Sequence, residues 1–222
     1  MGNKKTFGMI FSGAGYLDGS EIQEAVIAMV ALSEAKVTVR FFAPNVALKE
    51  VDHQKGAATG KERNVTLEVA RITRGNVEDL ASASGADVDG WIIPGGFGAA
   101  KNLCDFAEKG TDAIANKDVS RVVREALAAN LPIGACCIAP VLLALVTKKS
   151  GPRLVMTIGT DEGTAKALGA LGAKHQEAKV TDIVVDDEHR VVTSPAYMDG
   201  DASIADVAAG IHKMVKQAVK WA

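Results

Sequence analysis

Three times in 222 residues a short apolar run ends in a tight turn and gives way to residues with helical spacing. The junctions are Ser12-Gly13-Ala14-Gly15-Tyr16-Leu17-Asp18-Gly19, Gly95-Gly96 and Cys136-Cys137. Strand, turn and helix repeated along one chain build a parallel sheet, because each helical crossover carries the chain back to begin the next strand. The residue usage agrees. Hydrophobic residues make up 48% of the chain but aromatics only 5%, as suits small aliphatic side chains packed between helices and a parallel sheet. That hydrophobic content excludes a disordered chain. With 25 Lys and Arg against 27 Asp and Glu, the formal charge of −2 offers no basic surplus for a nucleic-acid partner.

The expected fold class is therefore α/β, one doubly wound domain over residues 1–222 with no linker or internal repeat. Thr6 to Ser12 reads as the first strand. Ser20 and Gln23 have capping-box spacing ahead of a helix striped by Ile22, Ala25, Val26, Met29 and Val30. A strand from Lys36 to Ala43 stops at Pro44, and residues 45–64 show no periodicity and read as a surface excursion. Asn64 caps a helix through Ile72, and Gly90 to Pro94 returns to strand. Asp118 opens a helix before the strand Pro132 to Cys136, and Ile138 to Val146 is helical with Pro140 in its first turn. Leu154 to Gly159 reads as a strand and Thr160 as the cap of a helix through Leu171. Residues 182–186 and 190–194 suggest a hairpin, and Ser203 to Val219 a closing helix.

In such sheets ligands gather beyond the carboxyl ends of the strands, where helix N-termini present unpaired N–H groups. All three junctions can meet there. Cys137 stands immediately before a helix, where a nucleophile elbow would lift its sulfur above the sheet and the helix would favour thiolate. The competing reading is that Cys136 and Cys137 are two small apolar residues at a strand end; Cys136 and Cys104 suit that role better. Glu21 and Glu24 open the first helix, where the helix dipole alone accounts for carboxylates. Glu21, at the top of the first strand, could also stand beside the sulfur as acid or base. His53 falls in the irregular stretch, His189 in an exposed turn and His212 on the last helix; His175, with Glu177, has the spacing to complete a Cys-His-Glu triad.

No cofactor and no metal are expected. Gly13-x-Gly15-x-x-x-Gly19 has one residue too many for a dinucleotide fingerprint, and Ala43-Pro44-Asn45 offers no acid for a ribose. Three cysteines without a Cys-x-x-Cys pair suggest thiols rather than a disulfide or zinc site. No apolar run approaches the roughly 18 residues that span a bilayer, and no signal-peptide core precedes the first strand. Gly2 and Thr6 fit a loose myristoylation pattern, but a strand buried from Phe7 leaves little free arm. A soluble, cytoplasmic protein without a membrane partner is the expectation.

Ser12 to Ile22, Arg71-Ile72-Thr73-Arg74-Gly75, Pro94 to Leu103, Cys137-Ile138-Ala139-Pro140 and Thr193 to Met198 resemble the enhancing-lycopene-biosynthesis (ElbB) glyoxalase family. That family belongs to the class I glutamine amidotransferase-like superfamily, alongside deglycases and intracellular proteases. The resemblance implies a flavodoxin-like three-layer αβα sandwich with Cys137 as nucleophile, a buried glutamate against it placed at Glu21, and an oxyanion hole from Gly95, Gly96 and the Ile138 amide. It further implies a cofactor-independent conversion of glyoxal to glycolate, a link to isoprenoid biosynthesis and a homodimer. Where related deglycases carry a histidine after the cysteine this chain has Ile138, which disfavours proteolysis and leaves His175 as the remaining candidate base. Two other readings stay open: a redox-sensing module built on the same cysteine, and an amidotransferase-like hydrolase.

Overall fold

The computed structural model describes residues 4–222; Gly2, the acceptor in the myristoylation pattern, lies outside them. In chain order the elements are β1 (Thr6–Ile10), α1 (Ile22–Glu34), β2 (Thr38–Ala43), β3 (Ala47–Asp52), β4 (Ala57–Asn64), α2 (Val65–Ile72) and β5 (Glu78–Asp79). There follow β6 (Gly90–Ile93), α3 (Phe97–Lys101), α4 (Phe106–Lys109), α5 (Lys117–Ala128), β7 (Ile133–Cys136), α6 (Pro140–Thr147) and β8 (Val155–Met156). The chain ends with α7 (Glu162–Ala170), β9 (Lys174–His175), β10 (Val184–Asp186), β11 (Val191–Ser194) and α8 (Ile204–Trp221).

Seven strands form the central sheet in the order β10-β11-β7-β6-β1-β2-β5. All neighbours run parallel except β10, which returns antiparallel along β11. The chain moves outward from β1 to β2 and then resumes on the other side of β1 at β6, so the sheet has a switch point between β1 and β6. Side chains alternate along β1. Phe7, Met9 and Phe11 face a core closed by α1, α2 and α8, and Ile10 faces a second core closed by α5, α6 and α7. This is the α/β, flavodoxin-like sandwich expected. At Gly8 the bare backbone lies under the Trp91 ring, where a Cβ would collide.

Several boundaries differ from the sequence reading for local reasons. Residues 45–64 are a hairpin, β3 against β4, rather than an irregular excursion. Both its faces are largely solvent-exposed, so no alternation marks it, and Leu48 is its buried apolar anchor. Arg63 fastens it down through Asp18 at 2.7 Å and Glu68 at 2.8 Å. Ser20 does not cap α1: its hydroxyl accepts from the Ser12 N–H at 2.9 Å, and Glu21 is the cap. Asn116 and Asp161, rather than Asp118 and Thr160, cap α5 and α7. The strand expected from Leu154 to Gly159 shrinks to β8, which pairs with β9 in a separate two-stranded ladder.

Helix α1 is also turned from its expected phase. Ile22, Val26 and Val30 are 45%, 43% and 45% exposed, whereas Glu24, Ala25, Ala28, Ala31 and Leu32 are buried.

Candidate functional site at the cysteine elbow

Cys137 follows β7 directly and precedes α6 by two residues. Its φ of 58° is in the left-handed region, a strained conformation for a residue with a Cβ, typically costing about 1–3 kcal/mol. That bend is what a nucleophile elbow requires. The Cys137 N–H donates to Ser194 O at 3.0 Å, which ties the bend to the end of β11. Pro140 fills the first position of α6, whose residues are all buried.

Beside the sulfur stands Glu24, not Glu21. The Glu24 side chain is fully buried, with Oε2 accepting from the Gly95 N–H at 2.9 Å and Oε1 from the Tyr197 N–H at 3.1 Å. The Cys136 thiol approaches Oε2 at 3.7 Å. A Cβ on Gly95 would lie 2.7 Å from Glu24 Oε2 and 2.9 Å from Cys137 Sγ, so carboxyl and sulfur face each other across a bare Cα. Burial, reinforced by the charge of Glu21, pushes the Glu24 pKa up to about 7. Glu21 instead caps α1, accepting from the Glu24 N–H at 2.6 Å, and lines the cavity above the sulfur. Its own pKa is raised, chiefly by burial.

Burial also pushes the Cys137 thiol well above its usual range, with the Glu24 charge adding to the rise. The Gly96 and Ile138 N–H groups work the other way, donating toward the sulfur. Gly95, grouped with them on sequence grounds, has its N–H committed to Glu24. At Gly96 φ is +90°, and a Cβ there would run into Glu21 N and Gly19 O, so only glycine lets this turn close against the first.

Above the sulfur is a cavity of about 260 Å³. Tyr16, Phe97, Ile138, Tyr197 and Met198 form its walls, with Asp161 and Thr164 from the start of α7 at its edge. Asp161 was not legible as a site residue, since it reaches the cavity from a distant part of the chain and lies in no motif; Tyr197 falls within the Thr193 to Met198 block, but nothing in that block marked it as a wall of the cavity. His175 does not line the cavity; it pairs with Met156 in the β8–β9 ladder. His53 sits on the hairpin with Nε2 accepting from the Leu17 N–H at 3.2 Å, and His212 pairs with Glu34 at 3.3 Å. His189, expected in an exposed turn, is half-buried against Asp186 at 3.0 Å. Cys104 and Cys136 are buried, as their packing roles required. Among the described residues no group of three or more His, Cys, Asp or Glu is placed to hold a metal ion.

The fold and the site together define an αβα sandwich with a cysteine at a strained strand-to-helix bend. No family model matches the chain. It is 44% identical over 223 residues to the "ES1 protein homolog, mitochondrial" of Rattus norvegicus, covering 96% of this chain and 82% of that one. Identity is 43% to the human "Glutamine amidotransferase-like class 1 domain-containing protein 3, mitochondrial", covering 96% and 81%. An isoprenoid biosynthesis protein with an amidotransferase-like domain from Ehrlichia chaffeensis superposes with a TM-score of 0.91 at 33% identity, covering 98% of this chain and all of that one. The chain belongs to this family of ES1 and isoprenoid-biosynthesis amidotransferase-like proteins. Glyoxalase III from Candida albicans shares the fold at a TM-score of 0.63 and 13% identity, covering 98% and 97%.

The cytoplasmic location expected from the sequence is overturned. The curated relatives are named as mitochondrial proteins and point to mitochondria instead. No helix among the described residues is long and apolar enough to cross a membrane.

Proposed function

We propose that this domain, over residues 1–222, is a cofactor-independent glyoxalase that converts glyoxal to glycolate through Cys137 and Glu24, working as a homodimer in or near isoprenoid biosynthesis. What supports the reading is the buried carboxyl facing the Cys137 sulfur across Gly95, beside the Gly96 and Ile138 N–H groups, which donate to no backbone carbonyl among the described residues. A carboxyl with a pKa of about 7 both takes and returns protons at neutral pH. As the sulfur adds to one carbonyl of glyoxal, Glu24 takes the thiol proton and passes it to the oxygen, giving a hemithioacetal. The Gly96 and Ile138 amides hold the transient oxyanion, a contribution of about 3–4 kcal/mol per donor in comparable sites. Glu24 then moves the proton on the sulfur-bearing carbon to its neighbour through an enediol, which leaves a hydroxyacyl thioester. Water cleaves the thioester, releasing glycolate and the thiol.

The sensor reading is weaker, because a thiol whose pKa lies well above its usual range is largely protonated at rest and reacts slowly with oxidants. The amidotransferase reading lacks a histidine in the cavity. Steady-state glyoxal consumption, with glycolate identified as product, tests the proposal in the wild type, Cys137→Ala and Glu24→Gln. Loss of turnover in Cys137→Ala and a drop of about 10²-fold or more in Glu24→Gln support it. Turnover that is unsaturable and indifferent to Glu24 refutes it.

A further inference from the structure

The cavity is too large and too apolar for glyoxal alone. Its volume of about 260 Å³ equals the share of roughly nine water molecules in the liquid, at about 30 Å³ each, whereas glyoxal has four non-hydrogen atoms. Most of the surface around the Cys137 sulfur is therefore left over once a two-carbon dialdehyde is in place. That surface is supplied by Tyr16, Phe97, Ile138 and Met198. Tyr16 and Phe97 are large aromatic side chains at the mouth and each is 48% exposed, although the His53 ring lies edge-on to Tyr16 at 5.4 Å and Lys101 stands over Phe97.

The charges lining the cavity are of one sign. Glu21 and Asp161 bring carboxylates, and no lysine, arginine or histidine lines it. Lys101 lies 5.4 Å from the centroid of the Phe97 ring but donates to Leu17 O at 2.8 Å and does not enter the lining. Asp161 is further fixed as an anion by the Thr164 N–H that it caps at 2.7 Å. Within the lining a substrate carboxylate would meet two like charges, and the Lys101 ammonium at the Phe97 ring stands outside that lining.

We propose that the Cys137 cavity selects uncharged α-oxoaldehydes carrying an apolar substituent of about the size of a phenyl ring, and rejects aldehydes that carry a carboxylate. The inference rests on the glyoxalase reading for its reaction, and on the cavity lining for its selectivity. The substituent would cover the exposed faces of Tyr16 and Phe97 while the aldehyde carbon meets the sulfur.

Two experiments keep the selectivity and the reaction apart. In the first, Cys137 is alkylated with iodoacetamide, N-benzyl iodoacetamide and iodoacetate, the sulfur displacing iodide in each case. Rates are followed on the Cys137 peptide by mass spectrometry and normalised to glutathione. The benzyl reagent should exceed iodoacetamide by about tenfold or more, the range that apolar groups reach in a fitted pocket, and iodoacetate should lag iodoacetamide. Asp161→Asn, which keeps a side-chain cap on α7, should restore several-fold of the iodoacetate rate. Equal normalised rates for the three reagents overturn the proposal. In the second, kcat/KM is compared for glyoxal, methylglyoxal, phenylglyoxal and 4-carboxyphenylglyoxal, all of which keep the two adjacent carbonyls that the reaction needs. A rise of about tenfold or more from glyoxal to phenylglyoxal, lost when the ring carries the carboxylate, supports the proposal; glyoxal as the best substrate overturns it. Failure to turn over any aldehyde, with the alkylation order intact, refutes the glyoxalase reading and leaves the cavity's selectivity standing.

Discussion

Replacing Glu24 by Gln should change how the stability of this protein depends on pH, in a direction set by one buried carboxyl. Glu24 has a pKa of about 7 in the folded chain and an ordinary value of 4.5. Below pH 4.5 both states hold the proton and the folded protein has its full stability. Between pH 4.5 and about 7 the unfolded chain ionises this group while the folded one does not, so stability falls as pH rises. Above about 7 both states are ionised and the loss is complete. At about 1.4 kcal/mol per unit of displacement, the fall amounts to about 3 kcal/mol. Glutamine cannot ionise, so it lacks this slope, although its amide faces backbone donors from Gly95 and Tyr197 and brings a constant offset. Urea denaturation of both proteins at intervals from pH 4 to 8 isolates the effect as a difference curve, from which the other titrating groups cancel. The curve should move by about 3 kcal/mol in favour of Glu24→Gln as pH rises. A flat difference, or a movement in the opposite direction, would show that the carboxyl is not held neutral by burial beside the sulfur.

The neighbouring residues give further outcomes. Glu21→Gln removes the charge that helps raise Glu24, so the midpoint of the same difference curve should shift to lower pH; an unmoved midpoint would place Glu21 outside electrostatic reach. Gly95→Ala drives a methyl group between Glu24 Oε2 and Cys137 Sγ, and glyoxal consumption should fall by about 10²-fold with a loss of about 1–3 kcal/mol in stability. Retained turnover in that variant would mean that the carboxyl and the sulfur need not face each other. His175→Ala should leave glyoxal consumption unchanged, since the ring lies outside the cavity; a steady-state assay showing a large loss would return a histidine to the mechanism.

The inner strands β1, β6, β7 and β11 were legible in the sequence because they are buried on both faces and end in tight turns, signals that survive without any tertiary context, whereas the two-residue edge strand β5 carries no such signal. The hairpin of residues 47–64 was not, because its exposed faces carry no alternation and its attachment depends on Arg63 meeting Asp18 forty-five residues away. The cysteine was legible from its place between strand and helix. Its carboxyl partner was misassigned by one helical turn, and α1 shows why. The expected stripe of Ile22, Ala25, Val26, Met29 and Val30 shares only Ala25 with the buried face of Ala25, Ala28, Ala31 and Leu32, whose alanines let α1 approach the sheet and α8 closely. Once that face is the inner one, Glu24 goes inward with it. The spacing of Ala25, Ala28 and Leu32 was visible, but the larger β-branched residues outweighed it.

Helix α6 has no side in contact with water, and Cys137 hangs from its leading end. A reactive atom mounted there inherits the stiffness of close-packed hydrocarbon, where a shift of a few tenths of an ångström would be resisted by every neighbouring side chain. Adaptation to molecules of different shape must then come from Tyr16 and Phe97 at the entrance, so that chemistry and selection are assigned to parts of the protein with different freedom to move.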